Sequence, residues 1–494
     1  MEVFSQGSKE DIKMNLKNTG YVTVTVSLLL CVMMIFILFV LEWIYVYMGT
    51  AKIAVATTSN SKSLFGNYHA NLFQDYHLLM LDKTLATGSE ASVEAMLQSQ
   101  LSSSLTGKNQ AFSCKVEDVV LTNTNQIMEK DFASVKEQIH AYSGYVMTDA
   151  WLKSLKSRAE GVSDYQIEES GNTEQTNEVS QENLQDPRGF FKDLTGKLLL
   201  QIVCPQDMLP SDKTIDIKTL PSGEAGVKNE NNDNDIDFAN GKGVEEWLGQ
   251  SVFDWNQLSS VQENVELAFY VSDCFRNVYG SDLERSGVLL AEQEYILYGK
   301  ESDQDNVIAA IKGIILLRFP FNYACLKQDL AKQGLITTAA AILSVVTKSS
   351  VSFMTTILTG AICYGEGMLD VKALLEGEAV PLVKNKGDWR LDISSFLLQS
   401  IQGSAVVKKD KGLCYQDYLT ILTLLHPDKA KLYYRILDVI TLNIRREEDS
   451  FSFAHMITEA TVQYRILLMP RFCKYLQRQD ASLYTIYESR TLQY

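Results

Sequence analysis

The sequence predicts a mainly helical α+β protein: one N-terminal transmembrane helix, a helical stalk, and a large extracytoplasmic domain with a small antiparallel sheet. Three observations predict it. Tyr21 to Val40, YVTVTVSLLLCVMMIFILFV, holds no charge over 20 residues, and at about 1.5 Å of rise per residue it reaches about 30 Å, the thickness of a bilayer's hydrocarbon core. Beyond it, apolar residues recur mainly at three- and four-residue steps, the period of amphipathic helices. Near the C-terminus, Val462, Tyr464 and Ile466 alternate with Gln463 and Arg465, and Tyr484 to Tyr494 repeat the alternation, the period of half-buried strands.

Composition bounds the rest. The chain has 494 residues, 46% apolar and 21% charged, which is the balance of a folded protein. Its net charge of −16 argues against nucleic acid as partner, because a phosphate backbone demands a surplus of Lys and Arg. Lys9, Lys13 and Lys17 precede the span and Lys52 and Lys62 follow it. This slim positive-inside bias places the N-terminus in the cytoplasm and the large domain outside. Ala54-Val55-Ala56 offers the small residues of a signal-peptide cleavage site, but the apolar run exceeds the about 7–15 residues such a peptide uses.

In order, residues 1–20 form a short polar arm and 21–48 the membrane helix, where Glu42 stands beside Trp43 and Tyr45, rings suited to the headgroup level. Residues 49–157 form a stalk helix and a membrane-proximal α/β part. In this part Phe65, Tyr68, Leu72, Tyr76 and Leu79 share one helical face, after a break expected around Thr57 to Ser63. A helix from Ser89 to Leu101, a strand through Phe112, Cys114 and Val116, and a helix from about Asp131 to Lys156 follow. Residues 158–187 are acidic and amide-rich with few large apolar groups, too few to offset the entropy of ordering, and read as a disordered linker.

Residues 188–494 then form a mainly helical domain with a polar insertion at 205–243 and strands at its end. Ser302 and Asp305 make a capping pair, and His426-Pro427-Asp428 breaks a helical hairpin. Leu335 to Val346 and Val351 to Tyr364 are strongly apolar but short, and read as buried helices rather than further spans. Strands from both ends of the ectodomain are expected to pair near the membrane. Of eight cysteines none lies in a C-x-x-C pair, which favours buried free thiols.

Several stretches together carry a resemblance. GYVTVTVSLLL opening the span, LEWIYVYMGTAKIAVATTS leaving it, FGNYHANLFQDYHLLMLD, EYILYGK at 294–300, GMLDVKALLEGEAVPLVKNKGDWRL, and DYLTILTLL with LYYRILDVITLNIRRE resemble domain of unknown function 5702. This is a bacterial membrane family of Gram-positive anaerobes, often encoded near Flp-type tight-adherence pili. The anchor is also similar to those of the pilin-like TadE and TadG proteins. Lys17 and Gly20 ahead of the span resemble a prepilin processing site, but Thr25 stands at the fifth position after Gly20, where type IV pilins carry glutamate. An uncleaved anchor is therefore expected. The resemblance implies location and context, with pilus or secretion-system subunits as partners beside the lipid bilayer.

The chain carries few signatures of chemistry. No G-x-S-x-G elbow and no H-E-x-x-H pair occurs, and Gly189 to Lys197 misses the spacing of a phosphate loop. Asp233, Asp235 and Asp237 open like a calcium loop, but Phe238 and Val244 stand where its Gly and Glu belong, so a solvated acidic loop is expected. The leading polar set is Glu366, Asp370 and Lys372, with Tyr364 nearby. Glu366 and Asp370 at i and i+4 share a helix face and present paired carboxylates, more often bonded structurally than catalytic. No catalytic, cofactor or metal residue is assigned. The expected function is a non-catalytic, membrane-anchored surface protein of appendage assembly or anchoring. A surface receptor or adhesin, or a membrane-tethered hydrolase, are the alternatives.

Overall fold

A computed structural model describes residues 6–84, 89–106, 111–127, 132–146, 148–160, 197–205, 209–227, 262–279, 287–401, 403, 412–472 and 484–494. The helices run α1 (Gln6–Phe65), α2 (Ala70–Tyr76), α3 (Glu90–Leu105), α4 (Ala133–Val146), α5 (Thr148–Glu160), α6 (Lys197–Val203), α7 (Gln262–Cys274) and α8 (Glu292–Tyr298). After them come α9 (Asp303–Lys327), α10 (Leu330–Thr347), α11 (Val351–Leu375), α12 (Tyr415–Leu425) and α13 (Lys429–Ile444). The strands are β1 (Leu81–Asp82), β2 (Cys114–Gln126), β3 (Met456–Leu468) and β4 (Thr485–Gln493). The sheet is small and antiparallel and the remainder is helical, as an α+β reading requires.

The chain divides into two compact units, and the division differs from the sequence boundaries. The first gathers residues 1–70, 79–129 and 454–494; the second gathers 71–78 and 130–453. The terminal strands thus belong with the N-terminal part, not with the helical domain that precedes them.

In the first unit β3 is central. β2 runs antiparallel along one side, with Cys114 opposite Leu468 and Leu121 opposite Val462. β4 runs antiparallel along the other, from Thr485 opposite Leu467 to Gln493 opposite Glu459, with β1 continuing that side at Ile457. Val462, Tyr464 and Ile466 of β3, Ile53 and Leu64 of α1, and Val93, Leu97 and Leu101 of α3 are buried together as the core.

α1 is one uninterrupted helix. The break expected around Thr57 to Ser63 does not occur, and four of the polar side chains there find partners without leaving the helix. Thr57 and Thr58 hydroxyls donate to the carbonyl of Ala54 at 3.1 and 2.7 Å. Asn60 donates to the Leu97 carbonyl at 3.4 Å, and Ser61 meets the Tyr464 hydroxyl at 2.6 Å. The helix ends instead at Phe65, and the single helix expected through Leu79 is divided. α2 is a separate short helix, and His77 after it adopts a left-handed φ of 57°. The helix expected over 131–156 is likewise two, α4 and α5.

The second unit packs α9, α10 and α11 around a large apolar core that includes Ile311, Ile314, Phe319, Ile357 and Ile362. α10 is longer than its apolar run suggested, because Asp329 caps it by accepting the N–H groups of Ala331 and Lys332 at 3.2 and 3.3 Å. By length and composition α1, α9 and α10 are each able to cross a membrane. They differ in burial: the apolar window of α1 is 0% buried, that of α9 56% and that of α10 33%.

The polar insertion is partly built into this unit. Within 209–227, Asp216 caps a short helical turn, and the backbone N–H of Ser222 donates to Asp438 at 2.9 Å. Asp233, Asp235 and Asp237 lie outside the described residues, as do residues 161–187 of the linker expected over 158–187, whose first three residues, Arg158 to Glu160, instead end α5. Among the described cysteines, Cys31, Cys114, Cys204, Cys274, Cys325, Cys363 and Cys414 are free thiols.

Candidate functional site

The apolar run of α1 presents Tyr21 and the side chains after it outward, with Val40 at the edge of burial. One turn on, the pattern changes. Trp43 stays exposed, while Glu42 and Tyr45 are 3% and 7% exposed. Glu42 accepts the backbone N–H groups of Arg471 and Phe472 at 3.2 and 2.6 Å. The Tyr45 hydroxyl accepts the N–H of Ser113 at 3.1 Å, and its ring rests on Phe112 at 5.2 Å. Gly49 brings the helix backbone close to Leu468, where a Cβ would lie 2.7 Å from Cδ2. The sequence placed Glu42 and Tyr45 among headgroup-level residues. The structure seats them against the segments that flank β2 and β3.

The polar set on α11 is assembled around its two carboxylates. Glu366 and Asp370 share a face, as their spacing requires, and both are 0% exposed. Lys372, two residues on, points away and is exposed, because two residues turn a helix through about 200°. The cations that meet the carboxylates come from elsewhere. Arg318 of α9 donates through Nε to Asp370 at 2.6 Å. Its Nη1 reaches the Pro381 carbonyl at 3.0 Å and the Tyr418 hydroxyl of α12. Lys384, on the segment after α11, bridges both carboxylates, donating to Asp370 at 2.5 Å and to Glu366.

Glu366 also accepts the backbone N–H groups of Arg390, at 2.9 and 3.1 Å to its two oxygens, and of Leu391 at 2.6 Å. Arg390 closes the set with Glu378 at 3.0 Å. Burial disfavours the charge of both acids. It pushes Glu366 up, with Lys384 opposing, whereas Arg318 and Lys384 outweigh it at Asp370 and hold that carboxyl below its usual range.

Every carboxylate oxygen of Glu366 and Asp370 is therefore taken by a donor from the chain itself. Chemically the set is a clamp: it ties α9, α11, α12 and the 380–391 segment together through charge-assisted hydrogen bonds. Its missing partners left traces in the sequence. Arg318 is the lone charge between Lys312 and Lys327 in an apolar stretch, and Lys384 follows Pro381-Leu382-Val383.

A second buried acidic group, around α8, was not anticipated. Glu294 accepts the Val278 N–H and the Tyr415 hydroxyl, each at 3.0 Å, through Oε1. Its Oε2 is buried without a hydrogen-bond partner among the described residues, and burial pushes the carboxyl up to about 7. Asp303 accepts the N–H groups of Leu290 and Ala291 at 3.0 and 3.3 Å, and Asp438 accepts the Tyr295 hydroxyl at 2.9 Å. Glu294 lies in EYILYGK, whose apolar and aromatic residues concealed an acid in the core. Among the described residues no three His, Cys, Asp or Glu side chains are grouped as metal ligands.

This α+β chain carries in its long, exposed apolar helix a candidate membrane anchor. Residues 177–467 match the model of a family of unknown function, DUF5702, so the chain belongs to that family. The match does not reach the apolar helix, so the likeness of the anchor to TadE and TadG lies outside it. Comparison with curated proteins and with solved structures gives no match.

Proposed function

We propose that this chain is a single-pass membrane protein with a cytoplasmic N-terminus, whose two folded units lie outside the cell. There it serves, without catalysis, in assembling or anchoring a Flp-type pilus or similar surface structure. One observation carries the anchoring: an uncharged helical stretch, 0% buried in its apolar window, runs without interruption into a helix that packs on the sheet of the first unit. Exposing so many large apolar side chains to water is strongly unfavourable, and a bilayer removes that cost. The non-catalytic reading is supported by Glu366 and Asp370, whose oxygens are committed to internal donors. The pilus context is supported by the sequence resemblance alone.

The test is topological. With a C-terminal tag on the chain, protease added to intact cells should digest the units, and the membrane-bound N-terminus should read from Met1. A protected tag would place the units in the cytoplasm, and an N-terminus beginning after Gly20 would make the chain a processed pilin-like subunit. Pilus or secretion subunits should co-purify, and their repeated absence would remove the appendage role.

A further inference from the structure

The two edges of the sheet are treated differently. On the outer edge of β2, α3 supplies caps: Glu94 accepts the Leu121 N–H at 2.9 Å, and Gln98 donates to the Glu117 carbonyl at 3.2 Å. Side chains that occupy edge groups in this way blunt a strand against further pairing. Among the described residues β4 has no such cover along its middle. Its even-numbered residues face β3, as the bonds from Tyr494 N–H to Thr458 and from Leu468 N–H to Tyr484 fix. The backbone groups of Tyr487, Ser489 and Thr491 therefore point outward, and none has a hydrogen-bond partner among the described residues.

The sequence of this edge is self-complementary. We infer that β4 pairs antiparallel with β4 of a second copy of this chain, centred on Ser489 opposite Ser489. In that register Tyr487 and Thr491 face each other and, with Ser489, exchange about six backbone hydrogen bonds. Glu488 falls opposite Arg490 of the second copy and Ile486 opposite Leu492, on one face and within side-chain reach. Moving the centre by one residue sets Glu488 against Glu488, or Arg490 against Arg490, so charge selects the register. Arg490 reaches Glu488 of its own strand at 2.8 Å through one Nη, and both side chains stay partly exposed at this edge.

The pairing has a direction. Along α1, Tyr45 and Gly49 lie by Ser113 and Leu468, Ser61 by Tyr464, and the Phe65 carbonyl by Tyr494, so α1 runs antiparallel to β3. The two-fold axis that pairs two β4 strands stands perpendicular to the sheet and reverses α1. Resting on the anchoring proposed above, the two copies belong to facing membranes, not to one.

The experiment uses the full chain in detergent. Glu488→Arg and Arg490→Glu should each weaken self-association about tenfold, since both cross-strand pairs become like-charged. An equimolar mixture of the two variants should recover it, because the two adjacent arginines on the strand of one variant then meet the two glutamates on the strand of the other. Ser489→Cys should form an intermolecular disulfide under oxidation that neither the parent nor Tyr487→Cys forms. A mixture that stays monomeric, or a Tyr487→Cys dimer as abundant as that of Ser489→Cys, overturns the proposal. Vesicles carrying the chain should cluster and those carrying Glu488→Arg should not; pairing confined within single vesicles overturns the facing-membrane arrangement. Dimers in detergent from a chain that alkaline carbonate strips from vesicles would count against the anchor and leave the strand pairing standing.

Discussion

Replacing Lys384 with methionine tests the clamp most directly. The substitution keeps the length and apolar stem of the side chain and removes only the ammonium, which is 0% exposed and shared by Glu366 and Asp370. Asp370 retains Arg318 at 2.6 Å, and Glu366 retains two backbone donors. The two carboxylates, however, now share a dry site with one negative charge uncompensated. Removing one partner of a buried ion pair costs about 3–5 kcal/mol. Adding Glu366→Gln removes the stranded charge, so the double variant should be more stable than Lys384→Met alone, with a coupling of about 2 kcal/mol. The assay is urea unfolding of the full chain in micelles, followed by far-ultraviolet circular dichroism. A cost below about 1 kcal/mol for Lys384→Met, or a double variant as unstable as the two losses added, would show that the site is hydrated and the clamp reading wrong.

Three further outcomes are expected. Burial holds Glu294 at about 7 against an ordinary 4.5, so folding favours its protonated form; stability should fall as pH rises from about 4.5 to 7, by roughly 3 kcal/mol. Thermal melts of Glu294→Gln across that range should lack this slope. Glu42→Ala leaves the Arg471 and Phe472 N–H groups without their carboxylate, at about 2 kcal/mol, and trypsin should cut after Arg471 faster in the variant. Gly365→Ala puts a Cβ 2.8 Å from the buried Phe396 ring, and the overpacking should cost about 1–3 kcal/mol in the same melts.

Much of the fold was legible because periodicity reports burial directly. The uncharged run of α1 and the alternation in β3 and β4 needed nothing beyond the order of apolar residues. The cap Ser302 also stands where expected, accepting the Asp305 N–H at 3.1 Å, and Asp428 of the expected hairpin break caps the next helix by accepting the Lys431 N–H at 3.3 Å. What periodicity does not report is partnership across distance. Glu366 and Asp370 were visible as a pair at helical spacing, but Arg318 and Lys384 are brought to them only by tertiary packing, and Lys372 was the nearest cation in sequence alone. The polar stretch from Thr57 to Ser63 misled in part for the same reason: the partners of Asn60 and Ser61, Leu97 and Tyr464, lie far along the chain. Glu294 was hidden because an acid flanked by Tyr295, Ile296 and Leu297 carries no local sign of its burial.

The make-up of the first unit bears on the order of synthesis. β2 leaves the ribosome long before β3, its only strand neighbour among the described residues. At about 5–20 residues per second, the wait is roughly 20–60 s. Through that interval the helical unit emerges and has time to fold, while the side of β2 that bonds to β3 stays unpaired. A nascent chain halted before Met456 would hold the long apolar helix and a finished helical body but no sheet, so quality control that reads exposed strand edges would recognise the truncated product at once.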